Sequence, residues 1–221
     1  IIDELPPGRK EIKTLWRSDS SRLKVNKFMH EQIALGRQIY IVYPLIQESE
    51  KLDYKDLMDG FKAISVEFPM PKFQVSVVHG QMKSEDKQYE MKRFSEGVTN
   101  IMVATTVIEV GVDVPNASVM VIESAERFGL SQLHQLRGRV GRGGKQSYCV
   151  LLSGHKISNE GRLRLETMAT TNDGFKIAEV DLKLRGPGDM MGTRQSGMLN
   201  FKIADLVKDG KILEFARNEA I

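Results

Sequence analysis

Three arginines and two glycines crowd into the stretch Gln132-Leu-His-Gln-Leu-Arg-Gly-Arg-Val-Gly-Arg142. Placed on a helix that starts near Ser131, a good N-cap residue, and ends at Gly143-Gly144, the run sets Arg139 and Arg142 three positions apart on one face. Gly138 and Gly141 then lie beside them at the same spacing. Arginine stays charged at any relevant pH, and its planar fork of donors matches phosphate oxygens. A glycine inside a helix costs about 1 kcal/mol relative to alanine, so two of them imply a close approach of bare backbone to a neighbouring element or a ligand. The chemistry on offer is phosphate recognition. A lone Arg-x-x-Arg pair would read as a solvated basic helix; the glycines, the flanking glutamines and the position after a fifth strand argue for the phosphate.

Two further groupings could face phosphate. Thr105 and Thr106 end an apolar run, and hydroxyls at the carboxyl end of a strand are well placed to bind a phosphodiester, although threonine also favours strands for ordinary steric reasons. His79-Gly80 follows another such run, where a plain loop residue is the competing reading. Other chemistries are poorly served. The single cysteine, Cys149, lies in the apolar run YCVLL and is expected in the core. The four histidines, His30, His79, His134 and His155, lack ligand spacing, so no protein-bound metal site is expected.

These residues need elements to position them. The 221 residues are 41% hydrophobic, enough for one sizeable domain with an appendage. With 32 basic and 29 acidic side chains the net charge is only +3, so any nucleic-acid surface must be local. Apolar runs at 11–16, 38–46, 73–80, 99–107, 118–124 and 146–152 are rich in Val, Ile and Tyr, as buried parallel strands are. Helical patterns lie between them at 22–35, 51–66 and 85–95, the first stopping at Gly36 and the third at Gly97. The alternation predicts an α/β fold with a mostly parallel sheet flanked by helices. Beyond Leu152 the texture changes: 160–171 reads as a helix and 172–174 as a turn. Residues 175–185 fit a helix or a strand, with the helix preferred; 185–197 reads as a break and a polar loop, and the last twenty residues as helical. No apolar run spans a membrane and no signal peptide is present, so the expected compartment is cytosolic. The opening IIDELPPGRK reads as a connector within a longer protein.

The pattern filled by Gln135, Gly138, Arg139, Gly141 and Arg142 resembles motif VI of superfamily 2 helicases, and IMVATTVIEVGVDVPN (101–116) resembles motif V. The resemblance implies a RecA-like domain of the P-loop NTPase type. In that reading Arg139 and Arg142 act catalytically on the γ-phosphate of ATP across a cleft, and Gly111, Asp113, Gln135 and Gly138 lie toward the nucleotide. Thr105, Thr106, His79 and Gly80 face the nucleic-acid backbone. Residues 162–197 resemble the helical hairpin and loop shared by RecG-type branched-DNA translocases and transcription–repair coupling factors; RGPGD, GTRQSG and PLIQESEKLD (44–53) fit the RecG type more closely. That resemblance implies coupling roles for Arg164, Arg185 and Gln195.

The sequence has no GxxxxGK[ST] phosphate loop and no DExH box. The expectation is therefore a second motor domain at 1–155, with 1–10 as connector, and a translocation hairpin, loop and C-terminal helix at 156–221. ATP would be shared with a first RecA-like domain that holds most of the Mg²⁺ ligands, so the chain alone is expected not to turn over ATP. The complete protein would be a bacterial, nucleoid-associated and monomeric motor with its own wedge domain, remodelling stalled forks and Holliday junctions. A coupling-factor translocase and a non-catalytic nucleic-acid-binding module remain the alternatives.

Overall fold

The computed structural model describes residues 10–45, 50–105 and 114–185. Each of the six apolar runs contributes a strand: β1 (Lys13–Ser18), β2 (Gln38–Tyr43), β3 (Val75–Val78), β4 (Ile101–Thr105), β5 (Ala117–Ile122) and β6 (Tyr148–Ser153). They form one sheet in the order β1-β6-β5-β2-β4-β3, with every pair parallel. Parallel neighbours need crossovers, and helices supply them: α1 (Arg22–Ala34), α2 (Glu50–Glu67), α3 (Ser84–Ser95) and α4 (Leu130–Arg137). Two more, α5 (Asn159–Thr170) and α6 (Gly174–Arg185), form the hairpin that follows β6.

The central strands β4 and β5 are buried along their whole length, whereas β1, at an edge, alternates exposed and half-buried residues. Strand periodicity divides the core into two layers. Ile39, Ile41, Ile101, Val103, Val119 and Val121 point to one face and pack with Val25 and Met29 of α1, Leu57 and Ile64 of α2 and Phe68 just past it. Tyr40, Val42, Met102, Ala104, Met120 and Ile122 point to the other, against Phe94 of α3, Leu133 and Leu136 of α4, and Leu165, Met168 and Ile177 of the hairpin. The hairpin therefore shares the core of the sheet it follows.

Local signals account for several helix ends. Gly36 (φ 74°) and Gly97 (φ 76°) take left-handed conformations just past α1 and α3. Ser158 caps α5 by accepting the Gly161 N–H at 3.0 Å, and Asp173 Oδ1 accepts the Phe175 N–H at 2.9 Å at the start of α6. The ambiguous segment 175–185 is helical. Among the described residues no helix is long and apolar enough to cross a membrane.

One expectation is overturned. The arginine helix does not begin at Ser131 and run to Gly143-Gly144. α4 starts at Leu130 with Gly129 as N-cap, where Gln132 Oε1 accepts the Gly129 N–H at 3.1 Å, and it stops at Arg137. After it the Arg139 N–H reaches back only to Leu136 and the Val140 N–H only to Arg137, a tightened final turn. Gly141 then takes φ 83° and turns the chain toward β6. Arg139 and Arg142 are thus loop residues rather than neighbours on one helical face.

Candidate functional site

The phosphate-reading candidates fall into two groups at opposite ends of the sheet. The loop after α4 runs along the amino ends of the strands. A Cβ on Gly141 would meet Ile12 Cγ1 and Cδ1 at 3.0 and 3.2 Å, one residue ahead of β1. A Cβ on Gly143 would meet the Pro115 carbonyl oxygen at 2.9 Å, just ahead of β5. These are the close approaches that the glycines suggested, but Gly138 is not among them, because its Cβ would meet only the His134 and Gln135 carbonyls of its own helix, at 3.5 and 3.4 Å. The loop is thus seated on the sheet while Arg139 remains half-buried and Arg142 exposed. Gln135 is exposed on α4 and lines a groove of about 600 Å³ shared with Ile177 and Asp181 of α6. Gly111 and Asp113 lie outside the described residues.

The seating predicts a stability effect. Gly141→Ala forces a side chain into a left-handed conformation and against Ile12, so unfolding free energy should fall by about 1–2 kcal/mol. Urea denaturation checks this; an unshifted midpoint would show that the loop is not held as described.

The second group stands at the carboxyl ends. β3 pairs with β4 through Val78 and Ala104, so the next residues, His79 and Thr105, continue the same register. Thr105 is 2% exposed, and among the described residues neither its Oγ1 nor His79 Nδ1 has a hydrogen-bond partner. Buried polar atoms without partners are rare. Tyr54 of α2 meets the His79 ring edge-on at 5.1 Å, and Lys87 Nζ donates to the Gly80 carbonyl at 2.8 Å. Burial, with the Lys87 ammonium adding to it, holds His79 below the usual imidazole range, so its ring is neutral at neutral pH. Thr106 lies outside the described residues.

In the hairpin, Arg164 Nη2 donates to the Glu126 carbonyl at 2.9 Å, joining α5 to the short turn between β5 and α4. Arg185 is the last residue of α6, and Gln195 lies outside the described residues. Two charged residues missed from the sequence stand out. Arg137, first of the three arginines, is 3% exposed and bonded to the end of α5. Glu123, at the carboxyl end of β5, is 4% exposed and takes both terminal nitrogens of Arg22, Nη2 at 2.8 Å. No spacing announces either, since their partners lie far along the chain. Cys149 is fully buried, and burial pushes its thiol up to about 12, so it is no nucleophile. Among the described residues no group of three or more His, Cys, Asp or Glu could hold a metal ion.

An all-parallel sheet layered by helices on both faces is the plan of a RecA-like domain. The chain belongs to the helicase conserved C-terminal domain family, which matches residues 23–144, and residues 171–221 match the C-terminal part of domain 3 of the ATP-dependent DNA helicase RecG. It is 52% identical over 219 residues to the ATP-dependent DNA helicase RecG of Synechocystis sp., covering 99% of this chain and 26% of that protein. It is 50% identical over 220 residues to that of Bacillus subtilis, covering 100% of this chain and 32% of that protein. A solved structure of RecG bound to a three-way DNA junction superimposes with a TM-score of 0.72 at 47% identity, over 96% of this chain and 27% of that one. The chain thus spans about a quarter to a third of the length of the curated relatives it matches.

Proposed function

We propose that the chain is the second motor domain, with its translocation hairpin, of an ATP-dependent branched-DNA translocase that remodels stalled replication forks and Holliday junctions. The observation that supports this reading is the separation of two groups of candidate phosphate-reading residues by the length of one sheet. Arg139 and Arg142 stand at its amino end, and His79 and Thr105 at its carboxyl end. A motor that converts hydrolysis into movement needs to touch a nucleotide and a nucleic acid at distinct places on one body. The RecG relative bound to a three-way junction supports branched DNA as the track.

ATP supplies the phosphoryl transfer that drives the motor. In this chain Arg139 and Arg142 would hold its phosphate end, and Gly111, Asp113, Gln135 and Gly138 are the further candidates for contact with the nucleotide. The described residues offer cationic donors and no carboxylate cluster, which fits the phosphate and leaves Mg²⁺ mainly to a first RecA-like domain. We assign residues 1–155 to the motor domain and 156–221 to the hairpin, loop and C-terminal helix. Arg164 and Arg185 would tie the hairpin to neighbouring parts and Gln195 would couple it to the DNA, and Thr106 and Gly80 are assigned with Thr105 and His79 to the DNA backbone. The complete protein would carry a wedge domain and act as a monomer in the bacterial cytoplasm on nucleoid DNA.

Thr105→Val in the complete protein tests the assignment. Valine matches threonine in shape and removes a buried hydroxyl that has no partner among the described residues, so stability should stay level or rise. Affinity for a forked duplex, followed by fluorescence anisotropy, should fall by about tenfold if that hydroxyl binds a phosphate. Unchanged affinity with raised stability would make Thr105 a core residue and remove the carboxyl-end DNA surface.

A further inference from the structure

Arg137 belongs to neither anion surface. It sits in the last turn of α4 and is 3% exposed. Its Nη1 donates to the Met168 carbonyl at 3.1 Å and the Thr171 carbonyl at 2.9 Å, the latter the C-cap residue of α5. The same nitrogen reaches Thr14 Oγ1 on β1 at 3.5 Å, and Nη2 meets His134 Nδ1 at 3.1 Å. Among the described residues no carboxylate faces it.

A buried cation without a counter-ion needs another source of negative potential. The final turn of a helix provides one, because its last carbonyls have no intrahelical partner and carry the negative end of the helix dipole. Arg137 occupies that position on α5. His134 extends the linkage. Burial, then the nearby Arg137 charge, lowers its pKa, which leaves a neutral ring whose Nδ1 can accept from the guanidinium. Its Nε2 lies on the side of α6, where a Cβ on Gly174 would stand 3.4 Å away. One side chain and its immediate partner therefore touch α4, both helices of the hairpin at their bend, and β1. Packing alone would not call for an arginine, since an apolar residue of similar volume fills a buried site as well or better. What the guanidinium adds is directed attachment.

One residue separates Arg137 from Arg139, at the head of the loop that carries Arg142. We propose that Arg137 is a positioning residue that fastens the arginine loop to the bend of the helical hairpin, so that a shift of the loop against a bound nucleotide is carried into α5 and α6. The proposal rests on the motor reading above and adds the residue through which the nucleotide end would drive the hairpin.

The test uses the complete protein with Arg137→Lys and Arg137→Met. DNA-stimulated ATP hydrolysis and junction unwinding are measured on the same preparations, with thermal melting as a control. Hydrolysis is expected to stay within about threefold of wild type, while unwinding per ATP falls about tenfold in the methionine variant and about threefold in the lysine variant, which keeps donors for the carbonyls. A packing role predicts the reverse order, because methionine suits an apolar site better than lysine. That reversed order, an unchanged ratio of unwinding to hydrolysis, equal loss of both activities, or failure of both variants to fold would each overturn the proposal. Wild-type protein without DNA-stimulated hydrolysis would instead sink the motor reading, and this proposal with it.

Discussion

Lysine in place of Arg142 is expected to reduce ATP hydrolysis by the complete protein by about 10³-fold or more, the scale of an arginine finger. Binding to a DNA junction should meanwhile change by no more than a few fold. Lysine keeps the charge but loses the planar fork that matches a phosphoryl group, so the loss should fall on kcat, where charge develops in the transition state. The fold supplies the reason for sparing DNA. Arg142 leaves α4 on a loop anchored beside Ile12 and Pro115 at the amino ends of the strands, whereas His79 and Thr105 stand at the carboxyl ends. The anchoring has its own consequence: an arginine on a seated loop needs little reordering to meet a phosphate. Steady-state kinetics and junction anisotropy on one preparation decide the matter. A kcat near wild type, or DNA affinity falling in step with kcat, would remove Arg142 from the catalytic role.

The largest effect on stability should come from Arg22→Ala. Glu123 is 4% exposed and receives both terminal nitrogens of Arg22, which also bonds Asp19 at 2.8 Å. Removing the guanidinium strands a carboxylate in the interior. Breaking a fully buried pair costs about 3–5 kcal/mol; with the Arg22 side chain 38% exposed to screening water, about 2–3 kcal/mol is expected here. The hydrogen bond to Glu123 is the main reason that the Arg22 pKa is raised, with burial opposing it. A raised folded pKa gives stability that is complete below the unfolded value and is lost as pH climbs through the folded one. Both lie in strong alkali, so the arginine's contribution should be constant across the neutral range. Urea denaturation of wild type and variant with matching m-values measures the difference. A loss under about 0.5 kcal/mol would place the pair among ordinary surface salt bridges.

Local pattern carried much of this fold. Six apolar runs separated by helical stretches specify a parallel α/β sheet, because strands buried on both faces and crossover helices leave distinct periodicities. Gly36 and Gly97 end their helices where the sequence places them, since only glycine enters the left-handed region freely. The same logic failed after Arg137. Leu133, Leu136 and Val140 keep a helical spacing and all are buried, so the apolar pattern runs on past the helix itself. Periodicity reports which side chains reach the core, not whether the backbone between them stays helical, and here the chain had to turn at Gly141 to enter β6.

Burial and partnership were settled only by the tertiary structure. Nothing near Arg137 in the sequence separates it from Arg139 and Arg142, yet it alone is enclosed, because the end of α5, 31 residues away at Met168, folds onto it. Arg22 and Glu123 meet across 101 residues, and His79 comes level with Thr105 only through the β3–β4 register. The sequence by itself determined the period of each element, its turns and the residue types able to read phosphate, all of which depend on neighbours within a few positions. Which arginine is a buried clamp, which carboxylate is paired, and which end of the sheet each candidate occupies were decided by contacts between distant segments, because desolvation and pairing depend on what packs against a side chain rather than on what precedes it.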